Sequence, residues 1–255
     1  MMLEEITPLI LTRDEEANIG RTLACLTWAR EVVIVDSRST DATVPIAKQF
    51  PNVRVLERAF DSLAGQSNFG LEQIVAPWAL LLDADYVLPQ DFVRELQTLT
   101  PQGSTRAYRA PFKYAVNGKP LRASLYPPRI VLLRREHSNV WQDGHAHRVL
   151  VDGDVGDLQQ PIIHDDRKSF ARFVDRQRKY MREEAAKLRA TDPRALPLSG
   201  RVRKLIVVAP FAVVIHSLFV KGLILDGTAG LRYAFERLVA ELILSRELLR
   251  RRNDS

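Results

Sequence analysis

Cysteine is nearly missing from this sequence: Cys25 stands alone. A lone thiol excludes an intrachain disulfide and a cysteine-built zinc cluster, and it fits a reducing compartment. The opening of a secreted protein is missing too. "MMLEEITPLI" carries acidic residues where a signal peptide needs basic ones, with no long apolar run and no cleavage site. The chain is therefore expected to stay on the cytoplasmic side. No internal repeat is found. With 46% hydrophobic and 27% charged residues, the composition is that of a folded chain rather than a disordered one. Its 255 residues suffice for one large domain, or for one domain with a substantial appendage.

A long uninterrupted apolar run is also absent. "LIVVAPFAVVIHSLFVKGLIL" (205–225) comes nearest, but Pro210, His216, Ser217 and Lys221 break it, and a bilayer span needs about 20 largely apolar residues. Arg201, Arg203, Lys204, Lys221 and Arg232 lie in or around it. An interfacial or re-entrant helix is the preferred reading; a buried helix of a soluble domain and a true span are the alternatives. Negative charge is scarce in the same region. Residues 167–255 carry 20 Lys/Arg against 9 Asp/Glu, a net +11, whereas residues 1–166 carry 17 against 22, a net −5. A basic C-terminal third beside an acidic body points to an anionic surface, lipid or nucleic acid, or more blandly to an Arg-rich solvated helix face. Basic and aromatic residues do not interleave on a strand, which argues against nucleic acid.

The N-terminal half alternates strand and helix signals. "TPLILT", "VVIVD", "NVRVL" and "WALLLD" are apolar runs, and helical patterns fall over 15–28, 43–49, 63–75 and from Pro89 to Leu99. Apolar rather than alternating strands predict a mixed, mostly parallel α/β sheet flanked by helices. Ligands bind such sheets beyond the carboxyl ends of the strands. There the polar residues gather: Thr12 to Glu15, Asp36-Ser37 and Asp83-Ala84-Asp85. Asp83-x-Asp85 offers hard oxygen ligands to a divalent ion, with phosphate oxygens expected to complete its shell. Further on, a hairpin is predicted to turn at Asn117-Gly118, and 129–135 and 147–153 are predicted strands. After 167 the chain is helical, with stripes Phe170, Phe173, Val174, Gln177, Met181, Ala185, Leu188 and Leu231, Phe235, Leu238, Leu242, Leu249, separated by the Pro-rich 191–200. The predicted division is a catalytic domain over 1–166 and a helical, basic extension over 167–255.

"LILTRDEEANIGRTL", "VVIVDSRSTDATVPIA", "GQSNFGL" and "WALLLDADYVL" together resemble the family 2 glycosyltransferases of GT-A fold. "YPPRIVLLRRE", "QDGHAHRVLVDG", "IIHDDRKSFARFVDRQRKYMREEA" and "KGLILDGTAGLRYAFERLVAEL" are similar to a bacterial subgroup related to lipopolysaccharide-core enzymes. The resemblance implies an inverting, metal-dependent transfer of one sugar from a nucleotide-diphosphate sugar, by family habit a UDP-sugar. The implied acceptor is lipid-linked or a lipopolysaccharide-type saccharide, met at the cytoplasmic side of the inner membrane by a peripheral or monotopic protein that holds the membrane surface through 201–255. Thr12 and Glu15 would lie near the nucleoside, Asp36 on base or ribose, Arg13 near the diphosphate, and Gln66 and Asn68 on the floor near the donor. Asp83 and Asp85 would hold the sugar and Mg2+ or Mn2+, with His164 as a late metal ligand. Asp143 is the implied base; His145 or His147 are alternatives for that role or for positioning the acceptor. Arg129 and Arg167 are secondary candidates for phosphate or acceptor contacts. Many relatives carry Asn at the position of Asp14, and lipopolysaccharide-type relatives often carry His-Glu where this chain has His147-Arg148. The Gln-x-x-Arg-Trp signature of processive synthases is absent, because none of Trp28, Trp78 and Trp141 follows an Arg. Transfer to polyprenyl phosphate is the alternative within enzymes, and a non-catalytic membrane-surface module is the alternative outside them. A sugar-phosphate nucleotidyltransferase is disfavoured, since "LILTRDEE" lacks the glycines of that class's loop.

Overall fold

The computed structural model describes residues 3–123, 126–143 and 146–250, and side chains at 142–147 are outside that description. The first half runs β1 (Ile6–Thr12), α1 (Ile19–Ala24), β2 (Val32–Asp36), α2 (Thr43–Ala47), β3 (Val53–Glu57), α3 (Leu63–Glu72), β4 (Trp78–Asp83), β5 (Tyr86–Val87) and α4 (Gln90–Thr98). Short strands follow: β6 (Thr105–Ala110), β7 (Phe112–Val116), β8 (Lys119–Pro120), β9 (Arg129–Arg134), β10 (Ser138–Asp143), β11 (Ala146–Val151), β12 (Asp154–Asp157) and β13 (Ile162–His164). The helices α5 (Phe170–Ala190), α6 (Leu198–Lys204), α7 (Val208–Ile215) and α8 (Thr228–Arg250) end the chain. Contacts divide into two compact units, one within Met1–Ala115 and Leu125–Arg167, the other within Val116–Ser124 and Lys168–Ser255.

The first unit is built on a seven-stranded sheet of order β12-β6-β9-β4-β1-β2-β3. Strands β4, β1, β2 and β3 are parallel, and β9 runs antiparallel to both β4 and β6. Alternate residues feed opposite faces, as the pleat requires. Ile6, Ile10, Ile34 and Leu80 pack with Leu23, Phe92 and Leu96 on one side. Leu9, Val33, Val35 and Ala79 pack with Leu71 and Ile74 on the other. Covered on both faces, the central strands read as unbroken apolar runs, each fully buried Leu or Ile contributing about 1.5–3 kcal/mol. From β1 the chain winds outward through β2 and β3, then returns to place β4 on the other side of β1. That reversal opens a crevice at the carboxyl ends of β1 and β4. In register, Leu11 pairs with Asp83 and Thr12 with Asp36.

Several predicted elements come out shorter. The helix expected over 15–28 is regular only from Ile19 to Ala24, because Asp14 sits at φ 53° and residues 15–18 form turns that bind the neighbouring loop. Asn117 and Gly118 both have positive φ, as a two-residue hairpin turn demands.

In the second unit α5 buries Phe173, Gln177, Ala185 and Leu188, four members of the predicted stripe. α8 does not follow its predicted stripe. Leu231, Phe235, Leu242 and Leu249 are exposed, while Tyr233, Ala234, Ala240, Leu244 and Leu248 are buried. The helix carries two apolar faces, and the one chosen also brings in Glu236 and Glu241, which pair with Arg232 and Arg203. The apolar stretch 205–225 is not one helix. It breaks into α7, a π-helical turn over His216–Val220 and a 3-10 turn over Leu223–Asp226. Gly222, left-handed at φ 69°, ends the second of these pieces. Among the described residues no helix is long and apolar enough to cross a membrane.

Candidate active site

The ends of β1 and β2 are tied by Asp36, which is 1% exposed. Its Oδ2 accepts from the Thr12 hydroxyl at 2.7 Å and the Ser39 hydroxyl at 2.6 Å, and its Oδ1 accepts from the Ser39 amide at 2.8 Å. A buried carboxylate survives when its lone pairs are met in this way. The next turn is stitched across: the Asp14 amide donates to Ser39 Oγ, and the Thr40 amide donates to Asp14 Oδ1, both at 2.9 Å. The Glu15 amide donates to Thr43 Oγ1 at 2.7 Å. Thr12, Asp14, Glu15 and Asp36 are thus brought together, although Thr12 and Asp36 meet each other first. Arg13 is exposed at the rim.

The second rim is the turn from β4 to β5. Asp83 is exposed, with no side-chain hydrogen bond among the described residues, whereas Asp85 is 7% exposed. Asp85 Oδ2 lies 3.1 Å from His164 Nε2, while Asp85 Oδ1 and His164 Nδ1 are buried without a partner among the described residues. Sheet register explains the meeting: His164 on β13 is paired with Tyr86 on one side and Tyr114 on the other. Those two rings and that of Tyr126 lie 4.9–5.4 Å from the imidazole. Burial acts to lower the His164 pKa, but the carboxylates of Asp85, Asp83 and Asp166 together outweigh it and the value ends above the ordinary one. The Tyr86 and Tyr126 hydroxyls stand 2.8 Å apart. Burial first, and then the Asp83 charge, push both phenols up, so both stay protonated.

Behind this turn lies a network in which Arg167 alone was a candidate from the sequence. Asp165 is 2% exposed. Its carboxylate accepts from Arg21 Nη1 at 2.9 Å and Arg167 Nε at 3.0 Å. Arg21 Nη2 also donates to the Asp165 carbonyl and to Asn18 Oδ1. The Asp165 amide donates to the Asp85 carbonyl at 3.0 Å, and the Thr22 hydroxyl donates to the Ala84 carbonyl at 2.6 Å. The acidic turn is therefore held from α1 and from β13 together. Arg21 falls on the polar face of a short helix, and nothing local distinguishes it from a solvated arginine.

Other candidates are placed differently. Asn68 donates to the Val140 carbonyl and accepts from its amide, each at 2.9 Å, so it joins α3 to β10 as a strand neighbour would. Gln66 is buried and donates to the Ala59 carbonyl at 3.0 Å, with Oε1 unpartnered among the described residues. Arg167 braces Asp165. Arg129 lies over the Tyr126 ring at 4.6 Å and lines an open cleft with Asp83, Tyr86, Phe112 and Ser67. The side chains of Asp143 and His147, and all of His145, fall outside the described residues.

Among the described residues no group of three His, Cys, Asp or Glu is arranged to hold a metal ion. Asp83 and Asp85 nonetheless fit a hard divalent cation: one is exposed, and the other carries a buried oxygen with no partner. His164 stands beside this pair as a hydrogen-bond partner of Asp85.

A mixed sheet whose acidic turn meets a switch-point crevice is the GT-A plan. A mannosyltransferase from Pyrobaculum calidifontis, solved with GDP-Man and Mn2+, shares the fold with a TM-score of 0.53 at 13% identity, over 96% of this chain and 87% of that one. TarS from S. aureus, solved with UDP-GlcNAc, gives 0.50 at 13% identity, over 98% and 92%. Residues 9–137, just over half the chain, match the model of glycosyl transferase family 2, and the chain belongs to that family. The lipopolysaccharide core biosynthesis glycosyltransferase LpsC of Rhizobium meliloti is 34% identical over 84 residues, 31% of each protein. An uncharacterized glycosyltransferase of Rickettsia typhi is 32% identical over 109 residues, 42% of this chain and 37% of the relative. The matched part spans about a third of the length of these curated relatives.

Proposed function

We propose that the chain is an inverting glycosyltransferase, dependent on Mg2+ or Mn2+, that moves one sugar from a nucleotide-diphosphate sugar, UDP-linked, to a membrane-linked saccharide of lipopolysaccharide-core type. The protein would work at the cytoplasmic face of the inner membrane as a peripheral or monotopic enzyme. The observation that carries this proposal is the Asp83-Ala84-Asp85 turn at the switch-point crevice, with Asp85 Oδ1 buried and unpartnered among the described residues. The GDP-Man and Mn2+ bound by the mannosyltransferase and the UDP-GlcNAc bound by TarS support the donor class, and LpsC supports the acceptor class.

In this mechanism Thr12, Glu15 and the Asp36 turn receive the nucleoside at the β1 and β2 ends, and Arg13 stands at the rim for the diphosphate. Asp83 and Asp85 would hold the divalent cation, which when bound would supply positive charge to balance the departing nucleoside diphosphate. Asp85 is kept in place by Asp165, His164 and Ala84's tie to Thr22. Tyr86 and Tyr126, protonated and hydrogen-bonded to each other, wall the crevice as neutral groups. Asp143, with His145 or His147 as alternatives, takes the proton from the acceptor hydroxyl.

A thermal-shift screen of UDP and GDP sugars with Mn2+ tests this function, since a ligand of the native fold raises Tm by mass action. The expected result is a shift with one donor that chelation reduces, and no turnover in Asp85→Ala. Full turnover in that variant, or in chelated enzyme, overturns the metal mechanism. No shift with any donor overturns the donor assignment.

A further inference from the structure

The second unit exposes apolar side chains that no neighbour covers among the described residues. Val207, Phe211, Ile215 and Phe219 recur every four residues through α7 and the π-helical turn, and so share one side of the helix. They are 75, 65, 56 and 64% exposed, and the adjacent Val220 is 69% exposed. The opposite side is occupied: Ala209, Pro210 and Ser217 are buried, and α7 packs on α8. The outward stripe is thus a surplus rather than a core face left half-built, and contiguous exposed apolar surface marks an interaction site.

Charge selects the occupant. Between Asp192 and Asp226 the sequence has no Asp or Glu, but it has Arg194, Arg201, Arg203, Lys204 and Lys221. Lys221 is exposed beside Phe219 and Val220, with no side-chain partner among the described residues. Glu236 and Glu241 are buried and paired with Arg232 and Arg203, and Glu184 also pairs with Arg203, so the positive rim rests on Arg194, Arg201, Lys204 and Lys221. An apolar ridge whose own segment carries cations and no carboxylate matches an anionic lipid interface. It matches a second copy poorly, because two such rims repel. Length decides orientation: eight residues of α7 reach about 12 Å, against about 30 Å of hydrocarbon.

We propose that Val207, Phe211, Ile215, Phe219 and Val220 form a monotopic docking ridge that inserts into the interface of an anionic bilayer, with Lys221 at the headgroups. The proposal rests on the membrane-side location given above and not on sugar transfer. Its test is therefore separate from donor binding, which thermal shift reads independently.

Full-length protein is sedimented with phosphatidylcholine vesicles, with and without phosphatidylglycerol, at low and high salt. Binding is expected only with phosphatidylglycerol and is expected to weaken with salt. A Phe211→Glu/Phe219→Glu variant should bind at least about ten-fold more weakly. As a check that does not depend on that variant folding, Phe219→Trp should gain emission that vesicles shift to the blue and brominated lipid quenches. Unchanged sedimentation of a folded double-Glu variant overturns the proposal, as does a Phe219→Trp signal that lipid does not change. A dimer abolished by the double-Glu substitution, without vesicle binding by the parent, assigns the ridge to a second copy and also overturns it.

Discussion

Arg21→Ala should destabilise the first unit and disturb the acidic turn. The side chain of Asp165 is 3% exposed and that of Arg21 is 26% exposed, so the pair lies at the edge of the interior. Removal of the guanidinium takes away three donor contacts, to the Asp165 carboxylate, the Asp165 carbonyl and Asn18 Oδ1. It leaves Arg167 Nε on the carboxylate at 3.0 Å. Breaking a fully buried pair costs about 3–5 kcal/mol. Here Arg167 stays and Arg21 is partly wet, so the expected loss is about 2–3 kcal/mol. At an m-value of about 3 kcal/mol/M the urea midpoint followed by Trp28 and Trp78 fluorescence falls by roughly 0.8 M. Arg21→Lys should recover only part of this, since a point charge cannot serve the side chain and carbonyl of Asp165 together. In a double-mutant cycle with Asp165→Asn the two changes should be coupled by more than about 1 kcal/mol. Turnover should also drop, because the Asp165 amide holds the Asp85 carbonyl. A midpoint change below about 0.2 M, or no coupling, would refute the bracing role.

Two smaller expectations follow from the same geometry. Asp14→Asn should leave the melting temperature nearly unchanged, because Asn also tolerates φ 53° and keeps an oxygen for the Thr40 amide; Asp14→Ala should cost about 1–2 kcal/mol, and equal loss in both variants would be the wrong result. Cys25 donates to the Thr22 carbonyl and accepts from the Leu88 amide, and burial pushes its thiol pKa up. Thiolate is therefore scarcer in the native chain at pH 8, and a thiol reagent should react with it at least about ten-fold more slowly than in urea. The stability tied to the protonated thiol is present below the unfolded pKa and lost as pH rises through the folded one. Equal reaction rates in the two states would remove the basis for that shift.

The strands were legible because each fully covered strand needs a run of apolar residues, and Ile6 to Thr12 or Trp78 to Asp83 supply one without reference to anything distant. The crevice was legible for a related reason: polar residues that end an apolar strand have nowhere to go but its rim. Helices were less so. The pattern over 15–28 has helical spacing, yet the loop after β2 offers Ser39 and Thr43 to the Asp14 and Glu15 amides, and those bonds replace helical ones. In α8 two apolar stripes compete, and only packing against α5 and α7 decides which is buried.

By itself the sequence determined the parallel sheet, the acidic turn at its edge, the basic C-terminal third and the broken apolar stretch, since all four are properties of neighbours along the chain. Tertiary structure alone decided that Arg21 serves Asp165, 144 residues away, that three tyrosines surround His164, that Asn68 belongs to β10, and that Phe211 and Phe219 face outward. These outcomes depend on which surfaces meet when segments distant in sequence pack, and a residue's chemical type does not encode its neighbour across the fold.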